Sequence, residues 1–539
     1  MPPDRSGAGR HRQCQRARLH RRPARGHPAA RLPGTGRHAD GDRRQAHGVR
    51  RERRPPRAGP DGRGLRRRLP RPGLGRGRLH GVRRLAPARR AAGADRGEIP
   101  VTVLVPGRPT QAEPGFGAFV RARARAGALV VQPRMGFGDP ERMRAGLAAT
   151  KAARGHTAGT LTLDSYTRVG DLAAVEHARR EDLPLNGYPI VSHPDATTRA
   201  MLAGVRDAGF PVQVRHGSAL PQHIFRKLIA LGLDATEGGP VSYCLPYGRT
   251  PLAESIAAWR QCTEMFSRLR DQGAEPHLET FGGCMMGQLC PPSQLVALSV
   301  LEALFFRAYG CRSISVSYAQ QTHAGQDTEA VFALRRLCAE LLPDVDWHVV
   351  VYAYMGAYPV TETGAYRLLG EAAELAVRTG SERLIVKTVA ESRRIPTVSE
   401  NVAALEYAAR AAVAARPVPA PDTDTQTYAE ARALVEGVLN LHSDLARALL
   451  LAFERGCLDI PYCVHPDNRG RTRSRLDAEG RLCWAQTGAL PLTRLVRTGR
   501  GREVTAAGLL ADLSYLRSKY DREALYDHAP AEVPSADPA

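Results

Sequence analysis

Residues 128–163 read ALVVQPRMGFGDPERMRAGLAATKAARGHTAGTLTL, and their punctuation decides the fold. The short apolar run Ala128–Gln132 is too brief for a helix and carries β-branched valines, as a buried strand does. Asp139 followed by Pro140 then opens a helix, because a carboxylate accepts from the free first-turn amides and proline has no amide to lose there. That helix closes near Gly155, and a second apolar run, Thr160–Leu163, begins at once. Strand, helix and strand in this order form a βα unit, whose strands pair in parallel through the helical crossover.

The same texture continues downstream. Short apolar runs recur at Tyr188–Ser192, Pro211–Val214, Asp234–Thr236, Pro276–Thr280, Ser313–Ser317, Trp347–Tyr352 and Arg383–Val386. Helices lie between them, one expected to be capped by Ser293 and another by Asp327. The fold class this implies is α/β, a (β/α)8 TIM barrel over residues 99–415. Nine candidate strands for eight places mean that at least one is irregular. Residues 416–425, opening on the Pro-rich run Arg416–Pro421, read as a linker to a helical and partly irregular region, 426–539.

Residues 1–98 are of another kind. They hold 29 arginines, no lysine and 7 acidic residues, which is +22 of the chain's formal +23, so the body of the protein is nearly neutral. They contain no Ile, Phe, Tyr or Trp and cannot bury a core. Two readings stay open: a disordered basic tail, or a GC-rich gene translated in the wrong frame or from too far upstream, since Arg, Gly, Pro and Ala have codons of G and C alone. A nucleic-acid-binding role would rest on this segment only, and neither nucleic acid nor membrane is expected as a partner. Ten cysteines without paired spacing suggest reduced thiols, no metal site and a cytoplasmic protein. No apolar stretch is long enough to span a bilayer.

Barrel chemistry gathers where strands end. Here the strand ends deliver Arg134 after Gln132-Pro133, Arg168 within Asp164-Ser165-Tyr166-Thr167-Arg168, and Arg215 before His216-Gly217. Three guanidinium groups at one rim repel unless anions lie between them, and their planar forks match carboxylates, so a di-acid is the expected ligand. Glu237 is the candidate partner for a substrate ammonium, with Tyr243 and Tyr247 following it. No GxSxG, GxxxxGK[ST] or HExxH motif is present. Lys387 closes the run Leu384-Ile385-Val386 and, on its residues alone, is a weak candidate for a Schiff-base lysine.

These blocks resemble the large (epsilon) subunit of adenosylcobalamin-dependent glutamate mutase, also called methylaspartate mutase. The resemblance rests on Gln132-Pro133-Arg134-Met135-Gly136, Thr162 through Arg168, Leu185-Asn186-Gly187-Tyr188-Pro189, Arg215-His216-Gly217 and Glu237-Gly238-Gly239-Pro240-Val241-Ser242-Tyr243-Cys244-Leu245-Pro246-Tyr247. It continues through Pro291-Pro292-Ser293, Ile385-Val386-Lys387-Thr388, Ile395-Pro396-Thr397 and Leu458-Asp459-Ile460-Pro461-Tyr462. It implies an arginine claw of Arg134, Arg168 and Arg215, with His216, Glu237, Tyr243 and Tyr247 also on the substrate and Glu237 the catalytic group. It implies cofactor contacts from Gly136, Asn186, Pro246, Tyr358, Lys387, Glu391 and Ile395, Tyr358 standing where the family usually has Phe. Two segments near the cofactor, Phe281–Met286 and Val389–Arg394, depart from the family pattern.

The implied activity is interconversion of L-glutamate and (2S,3S)-3-methylaspartate, started by an adenosyl radical from cobalt–carbon homolysis. The chain lacks the Asp-x-His-x-x-Gly motif that supplies the family's protein ligand to cobalt. The resemblance therefore implies a separate small cobalamin-binding subunit, with a homodimer of this chain inside a heterotetramer. A related cobalamin mutase acting on another amino di-acid is the alternative.

Overall fold

In the computed structural model, which describes residues 115–246, 248–284, 289–496 and 504–526, the βα repeat closes on itself. The strands are β1 (Val130–Gln132), β2 (two segments, His156–Thr157 and Gly159–Thr162), β3 (Val212–Arg215), β4 (Ala235–Gly238), β5 (His277–Thr280), β6 (Ser313–Ala319), β7 (Asp346–Tyr352) and β8 (Arg383–Ile385). Every neighbouring pair is parallel. The first segment of β2 pairs with β1 and the second with β3, while β8 pairs with β1 on its other side. Since the two segments of β2 are one strand interrupted only at Ala158, the sheet returns to its start as a TIM-like barrel.

Two expectations of local structure need correction. Tyr188–Ser192 is not a strand: only Tyr188 bridges to Leu163, and the Ser192 and His193 amides turn back onto the Pro189 carbonyl. Burial of Tyr188 and Ile190 explains the apolar pattern there without any ladder. Neither expected cap is a cap. The helix Pro292–Ala308 starts after Pro291, and the Ser293 hydroxyl donates instead to Glu430 Oε2 at 2.6 Å. The helix Ala324–Leu341 is capped by His323, whose side chain accepts from the Gln326 amide, while Asp327 accepts from the Tyr318 hydroxyl at 2.7 Å and from the Gln321 amide. By contrast Asp139 caps Pro140–Ala152 through the Glu141 and Arg142 amides, as its position before proline implies.

The helix Pro292–Ala308 is buried along nearly its whole length, and its apolar residues lie on every side because it is covered on every side. Barrel strands lie beneath it and the helix Gln426–Leu439 lies over it. Residues 415–425 carry no helix or strand, and the helices beyond them pack on the barrel, with a hairpin of β9 (Arg473–Leu476) and β10 (Leu482–Gln486). Among the described residues no helix is long and apolar enough to cross a membrane. The nine described cysteines are free thiols. The Arg-rich segment 1–98 and Tyr247 lie outside the described residues.

The barrel floor is closed from before the first strand. Helix α1 (Phe116–Arg125) buries Phe116 against the His277 ring, with centroids 5.2 Å apart, and sets the same ring under the Arg383 guanidinium at 4.9 Å. The lumen above is polar rather than aliphatic. Buried Arg383 pairs with Glu279 and reaches Gln132, Gln213 and Ser315. Gln213 in turn donates to Glu279 at 3.0 Å and accepts from Gln132 at 3.0 Å. Apart from Arg383 Nε, the buried polar atoms named here have partners, which favours a lumen that holds one geometry.

Candidate active site

The site is assembled at the C-terminal strand ends. β3 ends on Arg215 and β4 carries Glu237, and the parallel register of the two strands sets them side by side. Arg215 Nε lies 3.1 Å from Glu237 Oε1, with both side chains almost wholly buried. Glu237 also accepts from the Tyr243 hydroxyl and, at 2.9 Å, from the Tyr352 hydroxyl. Burial opposes the charge on Arg215, but the fields of Glu237, Tyr352, Tyr243 and Glu279 together outweigh it and hold the guanidinium protonated well above its ordinary range. Its Nη1 is buried without a hydrogen-bond partner, a donor left over for an anion.

Arg168 comes in on the short helix Ser165–Val169. Asp164 caps that helix by accepting from the Tyr166 and Thr167 amides, and Gly170, at φ 77°, ends it in the left-handed region where glycine is unstrained. Arg168 Nε donates to the Leu163 carbonyl at 2.9 Å. Burial lowers the Arg168 pKa, and the nearby positive charges of Arg134 and Arg215 push the same way against Tyr243 and Glu237. The three arginines expected from the sequence therefore do share one field, and it favours an anion among them. Arg134 reaches the mouth from the segment after β1, where its Nη1 meets Glu391 Oε2 at 3.0 Å and Met355 Sδ at 3.7 Å.

His216 is buried, stacked on Trp259 at 5.7 Å and edge-on to Tyr243 at 5.2 Å. Its Nδ1 accepts from the Ser218 amide, so Nε2 carries the proton of the neutral ring, and Nε2 has no partner. Burial drives its pKa down to about 3, which keeps the ring uncharged at neutral pH. Beside it Gly238 adopts φ 133°, and a Cβ there would strike Trp259 and Tyr243 at 2.5 Å, so only glycine lets the chain turn from Glu237 toward Tyr243.

The residues that the resemblance assigns to a cofactor do not all come together. Tyr358, Lys387 and Glu391 come together: Lys387 Nζ lies 4.6 Å from the Tyr358 ring centroid and 3.3 Å from the Gly356 carbonyl, and burial brings its pKa down to about 8. Glu391 closes the turn Val389–Ser392 by accepting from the Thr388 amide. Ile395 is half exposed beyond that turn, and Pro246 is partly buried. Gly136 and Asn186 have structural duties of their own. A Cβ on Gly136 would sit 2.1 Å from the Thr162 carbonyl, and Asn186 Oδ1 accepts from the Ser165 amide at 2.9 Å, bracing the Arg168 helix.

Three residues of this constellation went unsingled in the sequence: Tyr352, Glu279 and Arg383. The signal was present, since a glutamate inside the buried run of β5 and an arginine opening β8 are polar residues in strands with no exposed face. One altered segment is anchored as well. Glu302 accepts from the amides of Ser242, Phe281 and Gly282, tying the turn after β4 to the start of Phe281–Met286, of which Met285 and Met286 lie outside the described residues.

Comparison with known proteins shows the family to which the chain belongs. The chain is 29% identical over 354 residues to the glutamate mutase epsilon subunit of Escherichia coli O157:H7, covering 62% of this chain and 72% of that protein. It is 29% identical over 381 residues to the glutamate mutase epsilon subunit of Desulfitobacterium hafniense (strain Y51), covering 65% and 78%. With that of Halobacterium salinarum it shares 30% over 344 residues, covering 61% and 71%. The family model described as methylaspartate mutase E chain matches residues 112–509, and the chain belongs to that family.

Proposed function

We propose that this chain is the catalytic large subunit of an adenosylcobalamin-dependent glutamate mutase that interconverts L-glutamate and (2S,3S)-3-methylaspartate. The observation that carries the reading is the Arg215–Glu237 pair, flanked by Arg168 and with Arg134 at the mouth. Amino di-acids present two carboxylates and one ammonium, and this site presents three guanidinium groups with the Glu237 carboxylate at Arg215 and the Glu391 carboxylate at Arg134. Arg215 Nη1 has a free donor for a carboxylate oxygen. Glu237 uses three of its roughly four acceptor positions on Arg215, Tyr243 and Tyr352, which leaves one for an ammonium proton.

The mouth also suits a large planar cofactor with a nucleoside arm. Val360 and Ile395 are exposed apolar residues on the segments after β7 and β8, and Lys387, Tyr358 and Glu391 offer donors, an aromatic face and an acceptor beside Arg134. Bound there, adenosylcobalamin supplies the radical chemistry. The chain's own residues hold both carboxylates, orient the amino group and exclude water around the reacting carbon skeleton. A small cobalamin-binding subunit completes the enzyme in this reading, two copies of each subunit forming a heterotetramer.

The test is direct. Purified chain, the small subunit, adenosylcobalamin and L-glutamate are combined and the products are separated. Formation of 3-methylaspartate, with none when either subunit is omitted, is the expected result, and turnover only of a different amino di-acid would overturn the substrate assignment.

A further inference from the structure

Tyr352, the last residue of β7, touches both poles of the site. Its hydroxyl lies 2.9 Å from Glu237 Oε2 and also against Glu279 Oε1. Its ring lies under the Arg215 guanidinium, with 5.1 Å from Cζ to the ring centroid, and Arg215 is itself paired with Glu237. Phe281 packs edge-on against the ring at 5.6 Å. Glu279, the second acceptor, is fixed to the lumen by Arg383, Gln213 and Ser315. One side chain thus links the substrate-facing pair to the rigid polar lumen.

Resting on the amino di-acid reading above, we propose that Tyr352 is a positioning residue which orients Glu237 for the substrate amino group through its hydroxyl, and supports Arg215 through its ring. A carboxylate held at one oxygen by Arg215 and Tyr243 still has a rotational freedom that a donor on the other oxygen removes. Tyr352 supplies that donor. An ammonium on the remaining acceptor position of Glu237 leaves the Tyr352 hydrogen bond in place, so the hydroxyl goes on orienting the carboxylate while substrate is bound.

The two functions of the side chain separate by mutation. Tyr352→Phe keeps the ring under Arg215 and removes only the hydroxyl; Tyr352→Leu removes both. Calorimetry on the full chain compares L-glutamate with glutarate, the same di-acid without its amino group. The Phe variant is expected to lose roughly tenfold in affinity for L-glutamate, the usual scale for a charge-assisted hydrogen bond, while its glutarate affinity stays within about twofold of wild type. The Leu variant is expected to lose affinity for both. Unchanged glutamate binding by Tyr352→Phe, or an equal loss of both ligands, would overturn the inference and leave the substrate reading standing. A wild-type chain that binds neither di-acid overturns the substrate reading and this inference with it.

Discussion

Arg134 and Glu391 form an ion pair at the barrel mouth, Nη1 to Oε2 at 3.0 Å, which joins the segment after β1 to the turn after the neighbouring strand β8. Both ends are partly exposed, so the pair adds little to folding, on the order of 0–1 kcal/mol. In the proposed amino di-acid reading its importance is competitive, because a substrate carboxylate would have to displace Glu391 from the same guanidinium or share it.

Replacing Glu391 by Gln weakens that competitor. L-Glutamate is expected to bind roughly 2–5-fold more tightly, in keeping with the small energy of such pairs, while the urea midpoint hardly moves. Weaker binding in isothermal titration would show instead that Glu391 orients Arg134 for the substrate.

The three arginines should differ in what their loss does to the fold. Arg215→Met leaves Glu237 buried without its charge partner and is expected to cost about 3–5 kcal/mol of stability, read as a lower denaturation midpoint. Arg134→Met, at the partly exposed mouth, should stay within about 1 kcal/mol of wild type. Either change weakens di-acid binding, and Arg215→Lys should restore little of it because an ammonium lacks the fork. Equal destabilisation by both methionine variants would contradict the geometry.

Acid stability is expected to be set partly at the barrel floor. His277 and His348 stack with ring centroids 5.1 Å apart, both wholly buried, and burial lowers the pKa of each, His277 to about 3 and His348 well below its ordinary value. In the unfolded chain they titrate near 6.5. Above that pH both states are neutral and nothing is lost. Below it the unfolded state takes up protons that the folded state refuses, so each histidine removes about 1.4 kcal/mol per pH unit as pH falls toward its folded value. His348→Gln should flatten the dependence of the urea midpoint on pH between about 6 and 4. An unaltered slope would sink the assignment.

Gly239→Ala should act on the site from a distance. A Cβ there would fall 2.0 Å from Glu302 Oε1, the carboxylate that holds the Ser242, Phe281 and Gly282 amides. Glu302 is fully buried and has no free direction in which to give way. A loss of about 1–3 kcal/mol is expected, together with weaker L-glutamate binding as the Tyr243 turn shifts. Wild-type stability in thermal denaturation would show that the turn accommodates a methyl group.

The barrel was legible because its signals are local. Asp139-Pro140 marks a helix start wherever it occurs, and β-branched runs such as Val130–Val131 are short and buried. The irregular strand was misplaced because Tyr188 and Ile190 are buried by tertiary packing, which an apolar pattern reports without saying whether a ladder exists. The arginines were legible as residues at strand ends. Their mutual arrangement was not, since Arg134 meets Glu391 from 257 positions away. Tyr352 escaped for the same reason. In sequence it closes an ordinary apolar strand, and only the curvature of the closed sheet brings it to Glu237 on the far side.

Helix α1 leaves the ribosome before every strand of the barrel, but the surfaces that receive it are made much later. Phe116 rests on His277 and Arg383, and Arg121 pairs with Asp346 at 2.9 Å across 225 positions of chain. The first helix among the described residues is therefore among the last to dock. Until β7 and β8 are in place its apolar face has no lodging, and the nascent chain must carry Phe116, Phe119 and Val120 exposed for most of its synthesis. A chaperone that shields that face during translation would influence the yield of folded barrel without ever touching its mouth.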